Sequence, residues 1–206
     1  MVISLNQSAF LLEKLIIDNI LAAYKTLHTM HRRLWSKVGF MGIKLDMSKT
    51  YDMVEWKFLE AVMSKMGFVK RWVSLIMACV RSVTYSIVVN GQPMGNIIPS
   101  RGLRQGDPIT LYLFLLCVEA LSSMLSEAKN IGVITGVPTS KREPLVLMDD
   151  SLLFCKTNSV EWHRLTKILE KYEGASDQKP HREKTFIFFF VILARKRGRK
   201  YLVCLD

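Results

Sequence analysis

The run Pro144–Cys155, PLVLMDDSLLFC, is apolar on both sides of two adjacent aspartates, Asp149 and Asp150. Apolar runs of this length, rich in branched residues, read as short buried strands. The chain therefore sets two like charges at the tip of something that belongs in a core. Two carboxylates ~4 Å apart repel by about 1 kcal/mol in water and roughly 4 kcal/mol near a protein surface. A wet hairpin turn, where aspartate is at home, relieves that repulsion. So does a cation held between the carboxylates. Taken alone, such a pair is more often a plain hairpin tip than a metal site, so the rest of the chain must decide.

Met41–Asp46 alternates, with Met41, Ile43 and Leu45 facing one way and Lys44 and Asp46 the other. This is a strand that delivers Asp46 at its end. Leu15–His31, Val54–Met66 and Arg71–Val80 carry helical apolar spacing. Gly67 is placed to stop the second of these. Val83–Val89 and Met94–Ile98 read as strands joined by Asn90-Gly91, a strong hairpin signal. Asp107-Pro108 opens a helix running to about Ala128, with Asp107 as N-cap. The Asp149–Asp150 hairpin follows, then a helix over Val160–Tyr172 and a last strand over Thr185–Leu193. Helices and hairpins in this order predict an α+β fold, a mostly antiparallel sheet with helices on one face. Gly132–Glu143 is a loop.

The net charge of +11 points to a polyanionic partner. Arg195, Lys196, Arg197, Arg199 and Lys200 supply five of those charges, and +11 less these five leaves +6. The cysteines Cys79, Cys117, Cys155 and Cys204 form no CxxC pair, which argues against a zinc knuckle. Their apolar neighbours predict buried thiols in a reducing, intracellular compartment, cytoplasm or nucleus. The histidines show no metal-ligating spacing and read as surface residues. The first residues carry no secretory pattern. Ile109–Leu125 has Glu119 in its middle and is shorter than the ~20 residues a span needs, so no membrane partner is expected.

A strand-end Asp46 and a hairpin-tip Asp149–Asp150 pair could converge at one sheet edge. Three carboxylates there would call for a hard cation such as Mg²⁺, held together with substrate phosphates. Two such ions clamp the attacking and leaving oxygens of a phosphoryl transfer.

The segments KLDMSKTYDMVEWKFLEAVMSKMGF, YSIVVNGQP, PSRGLRQGDPITLYLFLLCVEALSSML and LMDDSLLFC occur in that order. Together, with NQSAF and DNILAAYKTLH before them, they closely resemble the reverse-transcriptase domain of plant LINE-type (non-LTR) retrotransposons. The likeness covers roughly residues 6–185. It implies a polymerase palm with partial fingers and no thumb. Residues 1–40 would be partial fingers and a lead-in helix, 41–185 the palm, and 186–206 a divergent basic tail. It implies RNA-directed DNA polymerase activity with two Mg²⁺ or Mn²⁺ ions, an RNA template, a DNA primer and deoxynucleoside triphosphates. Asp46 and Asp149 match the metal-binding carboxylates, and Asp150 the second acid of the x-Asp-Asp box. Tyr51 matches the aromatic against the nucleotide sugar. Gln105 and Gly106 match the loop along nucleotide and template. Lys184 matches the lysine placed for the leaving pyrophosphate, and Met148 sits where the box meets the primer end.

Plainer readings stand beside these. Asp46 could cap a helix, Tyr51 could be core, RQGDP could be a helix start, and Lys184 could be solvated. The ordered constellation favours the catalytic reading of the three carboxylates. There are also departures from the family pattern. Met148 replaces an alanine, Leu12-Glu13-Lys14 a Pro-Gly-Arg turn, and Leu111 a proline. Asp177 replaces a glycine, and Pro180-His181 an apolar-Asn pair. A catalytically dead remnant with weak, non-specific nucleic-acid binding is the alternative. An RNA-dependent RNA polymerase is a third, disfavoured by Tyr51 and RQGDP. Oligomeric state is not legible.

Overall fold

The computed structural model describes residues 21, 24–28, 39–47, 51–135, 150–181, 184–190 and 201–204. Ten named elements follow one another: β1 (Phe40–Asp46), α1 (Trp56–Lys65), α2 (Lys70–Arg81), β2 (Tyr85–Val89), β3 (Gln92–Ile97), α3 (Pro108–Asn130), β4 (Asp150–Lys156), α4 (Ser159–Ser176), β5 (Phe186–Phe190) and β6 (Tyr201–Cys204). The main sheet has the order β4-β1-β5-β6, and every pairing in it is antiparallel. The strand β2 pairs with β3, as a separate hairpin. Its turn has Asn90 at φ 49° and Gly91 at φ 79°. Two successive positive φ angles are what a tight hairpin of native twist requires.

Alternation along β1 separates two faces. Met41, Ile43 and Leu45 are buried in the main core with Leu59, Val62 and Met63 of α1, Val73, Ile76 and Met77 of α2, and Leu113, Leu121 and Leu125 of α3. From α4, Leu165 and Tyr172 complete that core. On the other face Phe40 and Phe154 form a smaller cluster, with Leu27 and Leu152 packed on it. Gly42, opposite Phe154 in the register, leaves room for that ring: a Cβ there would lie 3.0 Å from Phe154 Cε1. The helices thus cover one face, and the alternation puts Asp46 on the barer one.

Capping follows the sequence signals. The Asp107 side chain accepts from Ile109 N at 3.1 Å, with Pro108 at the first helical position. Asn158 caps α4 by accepting from Glu161 N at 2.6 Å. Helix α3 is longer than its apolar run suggested, 23 residues, and is long and apolar enough to cross a membrane. Yet 61% of its most apolar stretch is buried within the protein, so it is the core helix of this fold.

Two expectations need correction, and others fall partly outside the described residues. Cys79 is exposed, not buried, because it sits on the outer side of α2; Cys117 and Cys155 are buried. The tail also contributes an edge strand, β6, paired with β5 from Phe186↔Cys204 to Phe189↔Tyr201. No turn signal announces it. The first arm of the Asp149–Asp150 hairpin lies outside the described residues, as does most of the Leu15–His31 helix. Residues 24–28 of that helix are helical, and the exposed His28 ring stacks on Tyr24.

Candidate active site

The register β1–β4 sets Asp46 opposite Asp150 as its last pair. Opposed positions in an antiparallel pair lie ≈ 4.5–5.5 Å apart at Cα. Like charges directly opposite are destabilising in a sheet, so this is an unfavourable place for acids unless something binds them. Asp149 precedes Asp150 in the chain; Asp149 and Met148 both lie outside the described residues. Among the described residues no group of three His, Cys, Asp or Glu side chains gathers.

Residues 180 and 181 meet the same end of β1. Met47 forms a bridge with Pro180, and His181 N donates to Asp46 O at 2.6 Å. Lys184 N donates to His181 O at 3.0 Å. Its exposed side chain leaves the chain two residues before β5, just beyond the Lys44↔Phe186 pair and so at the end of the sheet that carries Asp46.

Tyr51 is half-buried, its ring 4.7 Å from that of Phe114 and tilted by 39°. Its carbonyl accepts Leu103 N at 2.9 Å, which ties it to the loop preceding α3. That loop is tightly fixed at Gly102, where φ is +89° and a Cβ would sit 2.8 Å from Asp52 O. Gly102 N donates to Val54 O at 2.8 Å, and Trp56 Nε1 donates to Gly102 O at 2.8 Å. Only glycine satisfies both the left-handed backbone and the close approach. Beyond it Gln105 and Gly106 are exposed. Gln105 lines an open cleft of about 510 Å³ with Asp52, Tyr85, Arg101, Leu103 and Arg104.

The sequence-predicted residues thus fall into two groups. Asp46, Asp150 and Lys184 lie at one sheet end. Gln105 and Gly106 belong to the loop before α3, to which Tyr51 is tied through its carbonyl. Residues 176–181 touch both groups: Ser176 O accepts Glu55 N at 3.3 Å, and Asp177 pairs with Arg101. Arg101, Trp56 and Asp177 were not among the predicted site residues. Arg101 and Asp177 were visible as a motif residue and as a departure, but their pairing spans 76 residues and no local pattern announces it.

The reverse transcriptase (RNA-dependent DNA polymerase) family profile matches residues 1–204. An uncharacterized mitochondrial protein of Arabidopsis thaliana is 43% identical over 76 residues, which are 36% of this chain and 60% of that protein. A retrovirus-related Pol polyprotein from a type-1 retrotransposable element of Popillia japonica is 29% identical over 122 residues, 59% of this chain and 20% of that one. A 149 kDa transposon protein of Xenopus laevis is 24% identical over 178 residues, 86% of this chain and 13% of that one. The chain therefore spans well under the full length of each. Among solved structures, a telomerase from Candida tropicalis shares the fold with a TM-score of 0.55 at 17% identity, over 82% of this chain and 35% of that one. A Candida albicans telomerase bound to a fragment of telomeric RNA scores 0.56 at 15% identity, over 90% and 31%. With the family profile covering all but the last two residues, the chain belongs to the reverse transcriptase family, whose activity is RNA-directed DNA polymerisation.

Proposed function

We propose that this chain supplies the palm of a retroelement RNA-directed DNA polymerase, adding deoxynucleotides to a primer 3′-hydroxyl on an RNA template. The observation that carries the reading is the Asp46↔Asp150 register on the barer sheet face, in a chain of this family, with Asp149 next in sequence. Carboxylate oxygens are hard donors and fit Mg²⁺ or Mn²⁺. Asp46, Asp149 and Asp150 would hold two ions, which when bound stabilise the attacking and leaving oxygens of an in-line displacement. The remaining roles belong to this chain's own side chains. The Tyr51 ring, braced by Phe114, would exclude a 2′-hydroxyl by bulk. Gln105 and Gly106 would lie along nucleotide and template. The Lys184 ammonium would meet charge growing on pyrophosphate, and Met148 would lie by the primer end. The buried thiols Cys117 and Cys155 suit an intracellular, reducing compartment.

A second reading is a catalytically dead remnant that binds nucleic acid weakly. It is favoured by the departures from the family pattern, Leu12-Glu13-Lys14 in place of a Pro-Gly-Arg turn and Met148 in place of an alanine. Primer extension on a homopolymeric RNA template separates the two. The palm reading expects Mg²⁺-dependent extension by a complete polymerase carrying this palm, abolished by Asp149→Asn. It also expects the 206-residue chain to melt higher with Mn²⁺ and nucleotide, a gain that Asp149→Asn removes. No extension by that complete polymerase, with no metal-dependent melting shift, leaves the pair a plain hairpin tip and the chain a remnant.

A further inference from the structure

The backbone at Asp177 is left-handed, with φ 57° and ψ 12°, at the C-terminal cap of α4. Such a position normally takes glycine. Aspartate and asparagine are the side chains that tolerate it best. Here the side chain adds what glycine cannot: its carboxylate pairs with the Arg101 guanidinium, while Glu55, the other acid near Arg101, stands off at 3.9 Å. Arg101 leads directly into Gly102 and Leu103, whose amides are fastened to Val54 O and Tyr51 O. On the other side of Asp177 the chain reaches Pro180 and His181, which hold Met47 and Asp46. The segment between is stiff. Ser176 and Gln178 are buried, Gln178 N donates to Ser176 Oγ at 3.2 Å, and the Tyr172 hydroxyl bonds Gln178.

We propose that Asp177 is a positioning residue: through Arg101 it fixes the loop that sets Tyr51 relative to the acidic end of β1, and so tunes discrimination of the nucleotide sugar. This rests on the polymerase reading above. The pair itself is half-exposed, with side chains 44% and 31% accessible, so it holds a local geometry without deciding global stability.

Two variants separate charge from backbone strain. Asp177→Asn removes the carboxylate and keeps a residue that tolerates the left-handed backbone. Asp177→Gly removes the carboxylate and the strain together. In the 206-residue chain both should speed hydrogen exchange at the Gly102 and Leu103 amides by roughly threefold to fivefold, the scale of a surface ion pair. Asp177→Gly should do so without a lower melting temperature. Arg101→Gln should match them, and the Arg101→Gln/Asp177→Asn double variant should be no faster than either single. The ratio of dATP to ATP affinity, measured with Mn²⁺, should narrow in Asp177→Asn. Unchanged exchange, additive single effects, or faster exchange with an unchanged ratio would each overturn the proposal. The exchange measurements need no nucleotide. A wild-type chain that binds neither dATP nor ATP would therefore count against the polymerase reading and against the sugar-tuning role, while exchange still decided the Asp177–Arg101 tie.

Discussion

Tyr51 is the side chain where packing and the proposed selection of the nucleotide sugar would meet. Its ring leans on Phe114, a residue buried in the main core, while its carbonyl anchors Leu103. The contact with Phe114 gives the ring a fixed attitude, which steric exclusion needs; a loose ring would swing aside. Replacing it by alanine removes the aromatic pair, worth about 0.5–1.5 kcal/mol beyond the lost burial. Tyr51→Ala should therefore lower the unfolding midpoint of the isolated chain in urea. In a complete polymerase carrying this palm it should also raise ribonucleotide incorporation relative to deoxynucleotide. A destabilised protein whose incorporation ratio stays put would make Tyr51 core packing and nothing more. Asp46 is constrained from its backbone side: the carbonyl accepts His181 N, so the residue is located before any ligand arrives. The family pattern expects asparagine at His181, yet the bond observed uses the main chain, which either residue provides. That departure therefore leaves the anchoring of Asp46 intact.

At the scale of elements, legibility in the sequence tracked the locality of the signal. The hairpin β2–β3 was readable because Asn90-Gly91 encodes its own turn, and α3 because Asp107-Pro108 encodes its own start. The end of α4 was not readable. Its apolar spacing stops at Tyr172, but the helix runs to Ser176, where Asp177 in the left-handed conformation closes the cap by donating its amide to Glu173 O. The strand β6 had no local signal at all; it exists by pairing with β5, a long-range event. For the site the division is the same. The carboxylates announced themselves as charges in apolar runs, whereas the Arg101–Asp177 tie is a product of tertiary structure. The core elements α3 and β4 also carry a titration. Burial pushes the Cys117 thiol up to about 12 from an ordinary 9.0. The Cys155 thiol rises likewise to about 12, through burial first and the nearby Glu161 carboxylate second. A raised thiol pKa favours the fold fully while both states are protonated, below pH 9. Above it the unfolded thiols ionise and bind fewer protons than the folded ones, so stability falls as pH climbs from 9 toward 12. Tyr172, its hydroxyl held up by burial and then by Cys117, acts in the same direction. Urea midpoints should thus drop across that window, and Cys117→Ala should flatten the drop. A pH slope that Cys117→Ala leaves unchanged would place the cause elsewhere. A thiol reagent near neutral pH should modify Cys79 first, reaching Cys117 and Cys155 only on unfolding.

For the whole molecule the question is what grips a template. The net charge of +11 is unevenly placed, with five of the basic residues between Arg195 and Lys200. Those five fall in sequence between β5 and β6, which pair with each other in the main sheet. Deleting residues 195–200 would shorten the stretch of chain that leads into β6. Neutralising the five with glutamine keeps its length. Each lysine or arginine that contacts phosphate on a duplex releases counterions worth about 0.9 in the slope of log K against log salt, and about 0.7 on a single strand. If all five engage, the slope for an RNA–DNA hybrid should flatten by roughly 4.5, and binding at low salt should weaken steeply. Charge attraction of this kind does not place a primer end, and placement is where on the order of 7–11 kcal/mol of barrier lowering is found in favourable cases. The isolated 206-residue chain should therefore bind nucleic acid with strong salt dependence yet extend a primed RNA template at or below detection. Fluorescence anisotropy across a salt series tests the first half and primer extension the second. A slope unmoved by neutralising the five residues would put the grip on the palm itself. Robust extension by the isolated chain, lost in Asp149→Asn, would show that these 206 residues order a primer end by themselves.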